Sequence, residues 1–251
     1  MATTIDMFPV HRVPISRPFV WLERGWDDLR HAPLASLAYG WLIASLGALI
    51  LAYSRHPVFL ASAIVGFLLV GPVVTAGVCE ISRRRDHGES LTFQDSLRGL
   101  AVARRGLLGF SALLLLLAIG WFAVSALYLL VSEGGVAPDI GNTVWGNVAA
   151  QLSAGQVSAY AVVFIVLACT VFAISVVSVP MLIDRHVDAA TAIRMSLRVT
   201  ARDFPAMLVW ALVIVGLVAL GYVTWLLGMV VVLPLLGHAT WHAYRDIVEE
   251  A

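Results

Sequence analysis

The sequence predicts an all-α integral membrane protein of six transmembrane helices, and three observations carry that prediction. Its 251 residues are 60% hydrophobic and only 13% charged, about half the charged share of a soluble domain. The apolar residues gather in runs matched to a hydrocarbon core of about 30 Å, which takes roughly 20 helical residues to cross. All 16 Lys+Arg positions are Arg, and none lies between Gly106 and Asp184 although both flanks are dense in it.

The runs are Leu34 to Tyr53, Val58 to Cys79, Leu107 to Ser132, Val157 to Ile183, Ala206 to Val223 and Leu226 to Tyr244. None alternates as a barrel strand does, and backbone groups in lipid must be satisfied within their own segment, so each run reads as a helix. Threading the six in order places every Arg except Arg55 on one side. The positive-inside rule makes that side cytoplasmic, and both termini with it. The organisation is then a cytoplasmic arm with an interfacial helix over 1–33, one six-helix domain over 34–246 and a cytoplasmic tail over 247–251. The arm carries Arg12, Arg17, Arg24 and Arg30 but no apolar run of signal-peptide length, so it is expected to stay uncleaved in a bacterial inner membrane.

The connections follow from composition. The first hairpin turns at Ser54-Arg55-His56-Pro57 and the third at Thr224-Trp225, an aromatic suited to the interface. The outer segment Glu133 to Gln156 holds Glu133 and Asp139 but no cation, and Ile140, Val144, Trp145, Val148 and Leu152 mark a short helix that caps the third and fourth spans. On the inner side, Phe93, Leu97, Leu100 and Ala101 recur at helical spacing, with Asp95 completing a capping box behind Thr92. From Asp188 to Arg202, Ile193, Leu197 and Ala201 form one stripe and Arg194, Arg198 and Arg202 another. Val20 to Arg30 behaves alike, with Leu22, Trp26 and Leu29. Such helices lie in the membrane interface with arginines toward anionic headgroups, so the bilayer is the first expected partner. A formal net charge of zero leaves no footprint for nucleic acid.

An internal repeat runs through this plan. Ser96-Leu97-Arg98 recurs as Ser196-Leu197-Arg198, with Asp28-Leu29-Arg30 a fainter counterpart. The even-numbered spans each hold a proline: Pro72, Pro180 and Pro234. Four residues beyond these lie Ala76, Asp184 and His238, and eight beyond lie Glu80, Asp188 and His242. The pattern reads as three copies of an interfacial helix plus a helical hairpin, over about 20–86, 90–186 and 188–246, arranged around a pseudo-symmetry axis.

Those positions hold the candidate chemistry. His238 and His242, at i and i+4, share a helical face and are spaced to reach one metal ion. Asp184 matches His238 in the repeat, and Glu80 and Asp188 match His242, so the five residues are the candidate ligands for a transition metal such as zinc or iron, or for haem. The competing reading is structural: Asp184 beside Arg185 and Glu80 near Arg83 are ready-made ion pairs. Under either reading His238 is expected to face the interior with Asp184 within one side-chain shell. Cys79 and Cys169 differ in depth by roughly 10 Å, at about 1.5 Å per helical residue, too far for a disulfide. The sequence contains no phosphate loop, nucleophile elbow or thiol pair, so no catalytic residue is assigned.

The segments Ser178 to Arg185 and His238 to Arg245 resemble a bacterial integral-membrane family, domain of unknown function 2189, and the likeness runs from about Pro14 to Asp246. Members are sometimes labelled cytochrome c oxidase subunits, so the resemblance implies a respiratory association without established catalytic residues. Together these readings favour a non-enzymatic accessory or assembly subunit of a membrane complex. The alternatives are a metal- or haem-binding membrane protein and a small carrier for a lipid or apolar metabolite. Reporter fusions test the topology: those within Glu133 to Gln156 should report from outside the cell and those after Asp95 from inside, and the reverse pattern would overturn it.

Overall fold

The computed structural model describes residues 9–53, 57–132 and 154–248. The turn at Ser54 to His56 and the predicted outer stripe from Ile140 to Leu152 lie outside these residues. Ten helices are described: α1 Arg17–His31, α2 Pro33–Tyr53, α3 Pro57–Asp86, α4 Phe93–Val102, α5 Arg104–Ser132, α6 Ala154–Ser175, α7 Ser178–Arg185, α8 Ala189–Arg202, α9 Phe204–Val223 and α10 Met229–Ile247. The β contact among the described residues is an isolated antiparallel bridge between Val10 and Val248.

Local sequence explains the helix ends. Thr92 Oγ1 accepts from the Asp95 N–H at 3.1 Å and donates to Asp95 Oδ2 at 2.5 Å, which closes the predicted cap of α4. Asp188 caps α8 by accepting from the Thr191 N–H at 3.1 Å. Prolines open α1 and α9, where a missing N–H costs nothing. Between α9 and α10, Trp225 and Leu226 take left-handed backbone angles, φ 55° and 66°, and the turn leaves Trp225 exposed while burying Leu226.

Among the described residues three helical segments are long and apolar enough to cross a membrane: Arg104–Trp121 in α5, Ala161–Arg185 through α6 and α7, and Phe204–Val223 in α9. A fourth is added if α1 and the first part of α2, bent by 105° between them, count as one broken span. α10 falls outside this set for a physical reason. Its second half carries His238, His242, Arg245 and Asp246, and the helix is enclosed by protein instead of lipid: His238, Trp241 and Tyr244 are fully buried. A helix wrapped by its neighbours can hold polar groups that a lipid-facing one cannot.

α10 is the hub, with α1, α2 and α3 packed along it and α9 and α7 at its margins. Two glycines permit the close approach. A Cβ at Gly40 of α2 would sit 2.0 Å from the Val230 carbonyl oxygen, and one at Gly25 of α1 would sit 2.7 Å from the Ala239 nitrogen. α4 packs on α3, and α8 packs on α6 and α7. The fourth predicted span is interrupted at Val176-Val177, and Ser196 of α8 repairs the break: its hydroxyl donates to the Ala173 carbonyl at 2.7 Å and accepts from the Val177 N–H at 3.2 Å.

The interfacial helices turn differently from the simplest expectation. In α8 the protein-facing side is Ala192, Met195, Ser196 and Val199, while Leu197 of the predicted apolar stripe points outward, 44% exposed. Leu97 of α4 does the same at 45%. Both helices thus pack on the bundle through a second face, Ser96 in α4 and Ala192, Met195, Ser196 and Val199 in α8, while Phe93, Leu100 and Ile193 of the predicted stripes stay partly buried against it.

The glycine contacts yield a paired test. Gly40→Ala should destabilise the protein by roughly 1–3 kcal/mol through overpacking against α10, read as a lower melting temperature in detergent. Gly216→Ala on α9, where a Cβ would meet nothing within 4 Å, should leave it unchanged.

Candidate functional site

Where α1 crosses α10 at the Gly25 contact, Asp28, one turn further along α1, arrives over the face that carries His238 and His242. Asp28 is 3% exposed, and Ser36, Ser82 and His238 are fully buried. Asp28 Oδ2 accepts from the Ser82 hydroxyl at 2.5 Å and from His242 Nε2 at 3.0 Å. Arg85 donates to Asp28 Oδ1 and reaches Asp27 at 2.7 Å. Ser82 Oγ also meets His238 Nδ1 at 2.7 Å, and His238 Nε2 meets the Ser36 hydroxyl at 2.8 Å.

Donor counting fixes the protons. A carboxylate only accepts, and a serine has one hydrogen to give. Ser82 spends its hydrogen on Asp28, so it must accept from His238 Nδ1–H. A neutral His238 then carries its proton on Nδ1, and its Nε2 accepts from Ser36. His242 donates Nε2–H to Asp28, leaving Nδ1 as its basic nitrogen. Burial alone would push the Asp28 carboxyl up, but the hydrogen bonds from His242 and Ser82 and the attraction of both imidazoles outweigh it and hold the group down at about 2.

The site opens outward. Asp28 and His242 form part of the wall of a pocket of about 560 Å³ whose other lining residues include Glu23, Arg24, Asp27, Arg85 and Asp86. Around it α10 is pinned to its neighbours: Asp246 accepts from Arg17 at 2.6 Å, Trp21 Nε1 at 2.8 Å and Arg24 at 3.0 Å, and Trp241 Nε1 donates to Asp86 at 2.8 Å.

Of the five predicted ligands, His238 and His242 come together, and both face inward as expected. The other three are engaged elsewhere. Asp184 accepts from the Tyr244 hydroxyl at 2.6 Å and from Arg185 at 3.0 Å, so it is not the acid bonded to His238. Glu80, 1% exposed, is held by Arg83 at 2.7 Å and Arg84 at 2.9 Å. Asp188 is spent on the α8 cap, where the Thr191 hydroxyl and N–H hold its carboxyl below the usual range. Among the described residues no three His, Cys, Asp or Glu side chains are placed to hold one metal ion. The acid that takes the place expected for Asp184 is Asp28, because α1 folds back over α10 and presents that position first. The sequence held one signal for it: in Asp28-Leu29-Arg30 the aspartate occupies the place of Ser96 and Ser196, both of which are also fully buried. Ser36 and Ser82 carried no signal.

The depressed carboxyl sets a pH dependence. Because Asp28 lies below its ordinary 3.8, at about 2, its contribution is complete above pH 3.8 and is lost as pH falls toward 2. It amounts to about 2 kcal/mol. Asp28→Asn should lower stability at neutral pH by about that amount and flatten the acid limb of the melting-temperature profile. An unchanged limb would show that the carboxylate is not ionised in the seam.

A family model described as predicted integral membrane protein (DUF2189) matches residues 59–184, half of the chain. The match covers α4, α5, α6 and nearly all of α3 and α7 and leaves α1 and α10 outside it; of the pocket lining, Arg85 and Asp86 of α3 fall within the match. No curated protein and no solved structure matches. An all-helical fold, several helices able to cross a bilayer and this family match agree: the chain belongs to the DUF2189 family of integral membrane proteins.

Proposed function

We propose that the protein is a six-span subunit with both termini on the cytoplasmic side, built as three repeats, and that it works by association as an accessory or assembly component of a membrane complex. The repeat is supported by a cyclic pattern of contacts. Each interfacial helix packs on the proline-bearing helix of the preceding unit: α4 on α3, α8 on α6 and α7, and α1 on α10, which closes the ring. At each joint the residue eight beyond the proline meets the incoming helix. Glu80 lies against Gly99 of α4, where a Cβ would be 2.2 Å from its Oε1; Asp188 caps α8; His242 bonds Asp28 of α1.

Association is carried by one observation: the ionisable groups predicted as ligands are consumed in pairs within the chain, while large apolar side chains cover the outside. Leu115 and Leu116 of α5, Ile165 and Val166 of α6, and Leu212 and Val215 of α9 are all more than half exposed. Arg98, Arg194 and Arg202 stand exposed beside Leu97 and Leu197 on α4 and α8, an arrangement suited to anionic headgroups at the interface.

Cys169 of α6 is exposed and Cys79 is buried, so in a Cys79→Ala background Cys169 offers a native attachment point for a photo-crosslinker, joined by Leu116→Cys and Val215→Cys on two further faces. In native membranes at least one face should give a defined protein adduct of fixed mass. Adducts to lipid alone, or only to a second copy of the chain, from all three faces would overturn the association reading.

A further inference from the structure

The seam between α1 and α10 holds more than its buried charge requires. Arg85 and Ser82 already give Asp28 a cation and a hydroxyl donor, yet two imidazoles, the side chains that exchange protons most readily near neutral pH, stand in series with them. The hydrogen bonds run without a gap from Ser36 through His238, Ser82 and Asp28 to His242, none longer than 3.0 Å. His242 lines the pocket, and His238 lies one turn deeper, about 6 Å along the helix. The other two joints have nothing comparable among the described residues: Glu80 is closed in by Arg83 and Arg84, and Asp188 is fixed as a cap.

We propose that this file is a proton relay, in which a proton taken up from pocket water at His242 passes through Asp28 and Ser82 to His238, a proton-loading site inside the helical domain. The steps balance. Water in the pocket protonates His242 Nδ1, and the ring releases its Nε2–H to Asp28 Oδ2. The transfer runs through the other neutral tautomer of His238, with its proton on Nε2 donated to Ser36 and Nδ1 bare toward Ser82, the form a loaded ring leaves when it returns its Nδ1 proton by the same path. From it, Asp28 passes the proton to Ser82 Oγ while Ser82 gives its own hydrogen to His238 Nδ1. His238 is then an imidazolium donating through Nε2–H to Ser36 and through Nδ1–H to Ser82, which donates to the restored Asp28 carboxylate. That final hydrogen-bond direction between Ser82 and Asp28 is the one described above. Exchange with pocket water or a turn of the ring resets His242.

The surroundings favour the uptake step. Around His242 the pocket sets Glu23, Asp27, Asp28 and Asp86 against Arg24 and Arg85, an excess of negative charge that attracts a proton. α10 itself adds the neighbouring Arg245 and Asp246, the latter already shared by Arg17 and Arg24. α7 brings the paired Asp184 and Arg185 near Tyr244, and α2 and α9 contain no charged residue. In the loaded state the His238 cation would face Asp28 Oδ2 at 3.7 Å, a carboxylate it shares with Arg85.

The relay is independent of the association reading and is tested on the full chain, labelled with 15N-histidine in lipid nanodiscs. His238 is assigned by the signal lost in His238→Asn, and its ring N–H exchange into D2O is followed by NMR. Exchange should be measurable in the unaltered chain, slower by about tenfold or more in Ser82→Ala, and restored in Ser82→Thr, which keeps the hydroxyl. Thr200→Ala, on α8 outside the file, where the hydroxyl only bonds its own helix at Ser196, should leave the rate unchanged. A purely structural Ser82 predicts the opposite sign, with faster exchange as the seam loosens. Should Ser82→Ala fail to fold, His242→Gln gives the same reading: glutamine keeps an N–H for Asp28 but cannot shuttle, so exchange must slow. Exchange as fast as the unaltered chain in these variants, or slowed equally by Thr200→Ala, would overturn the relay.

Discussion

An ionised carboxylate almost out of reach of water has to be surrounded by donors or it costs several kcal/mol, and the arrangement of this protein follows from how Asp28 meets that demand. Its donors come from two helices remote in sequence, Ser82 and Arg85 on α3 and His242 on α10. Satisfying one charge therefore fixes three helices against one another. The glycine at position 25 serves the same end, because without the close approach to Ala239 the carboxylate could not reach the histidine face.

The rest of the bundle shows two solvents dividing the polar groups between them. Helices whose sides face outward, α5, α6 and α9, are apolar almost throughout, whereas α10, enclosed on most sides, tolerates two imidazoles, an arginine and an aspartate. Where the α6–α7 span breaks inside the core, at Val176-Val177, a serine from a neighbouring helix supplies the missing donor and acceptor, as an unsatisfied backbone group away from water would be expensive. Ser196 belongs to the repeated Ser-Leu-Arg triplet, and Ser96, its counterpart, bonds the Tyr39 hydroxyl at 2.7 Å. The triplet thus has a packing meaning: the first residue enters the core and the other two face outward.

Much of this was legible in the residues. Apolar runs gave the helices and Thr92 with Asp95 marked the start of α4, whereas Asp188, read as a ligand, is the cap of α8. What composition could not give was which helix lies against which. His238 was correctly read as inward, since a buried imidazole must find partners, but its acid was sought on the fourth span by repeat position. The arm before the first span was treated as an interfacial appendage, when its helix is an integral wall of the site. A period of 3.6 residues identifies a face; it does not say how far that face turns toward the protein, which is why the stripes of α4 and α8 are legible while the faces that carry Ser96 and Ser196 into the core are not.

The ring of contacts joins the first helix to the last, and this imposes an order on assembly. Asp28 and His242 are separated by 214 positions, an interval of about 10 to 40 s at ordinary rates of synthesis. Ser82 and Arg85 emerge much earlier, so α1 and α3 can meet first, with the seam half built and its carboxylate held by a hydroxyl and a guanidinium alone. Only when α10 is inserted do the imidazoles arrive and the bundle close. The protein is accordingly completed from its two ends, and a chain stopped before its last helix would retain every outward apolar surface while lacking the element on which the others converge.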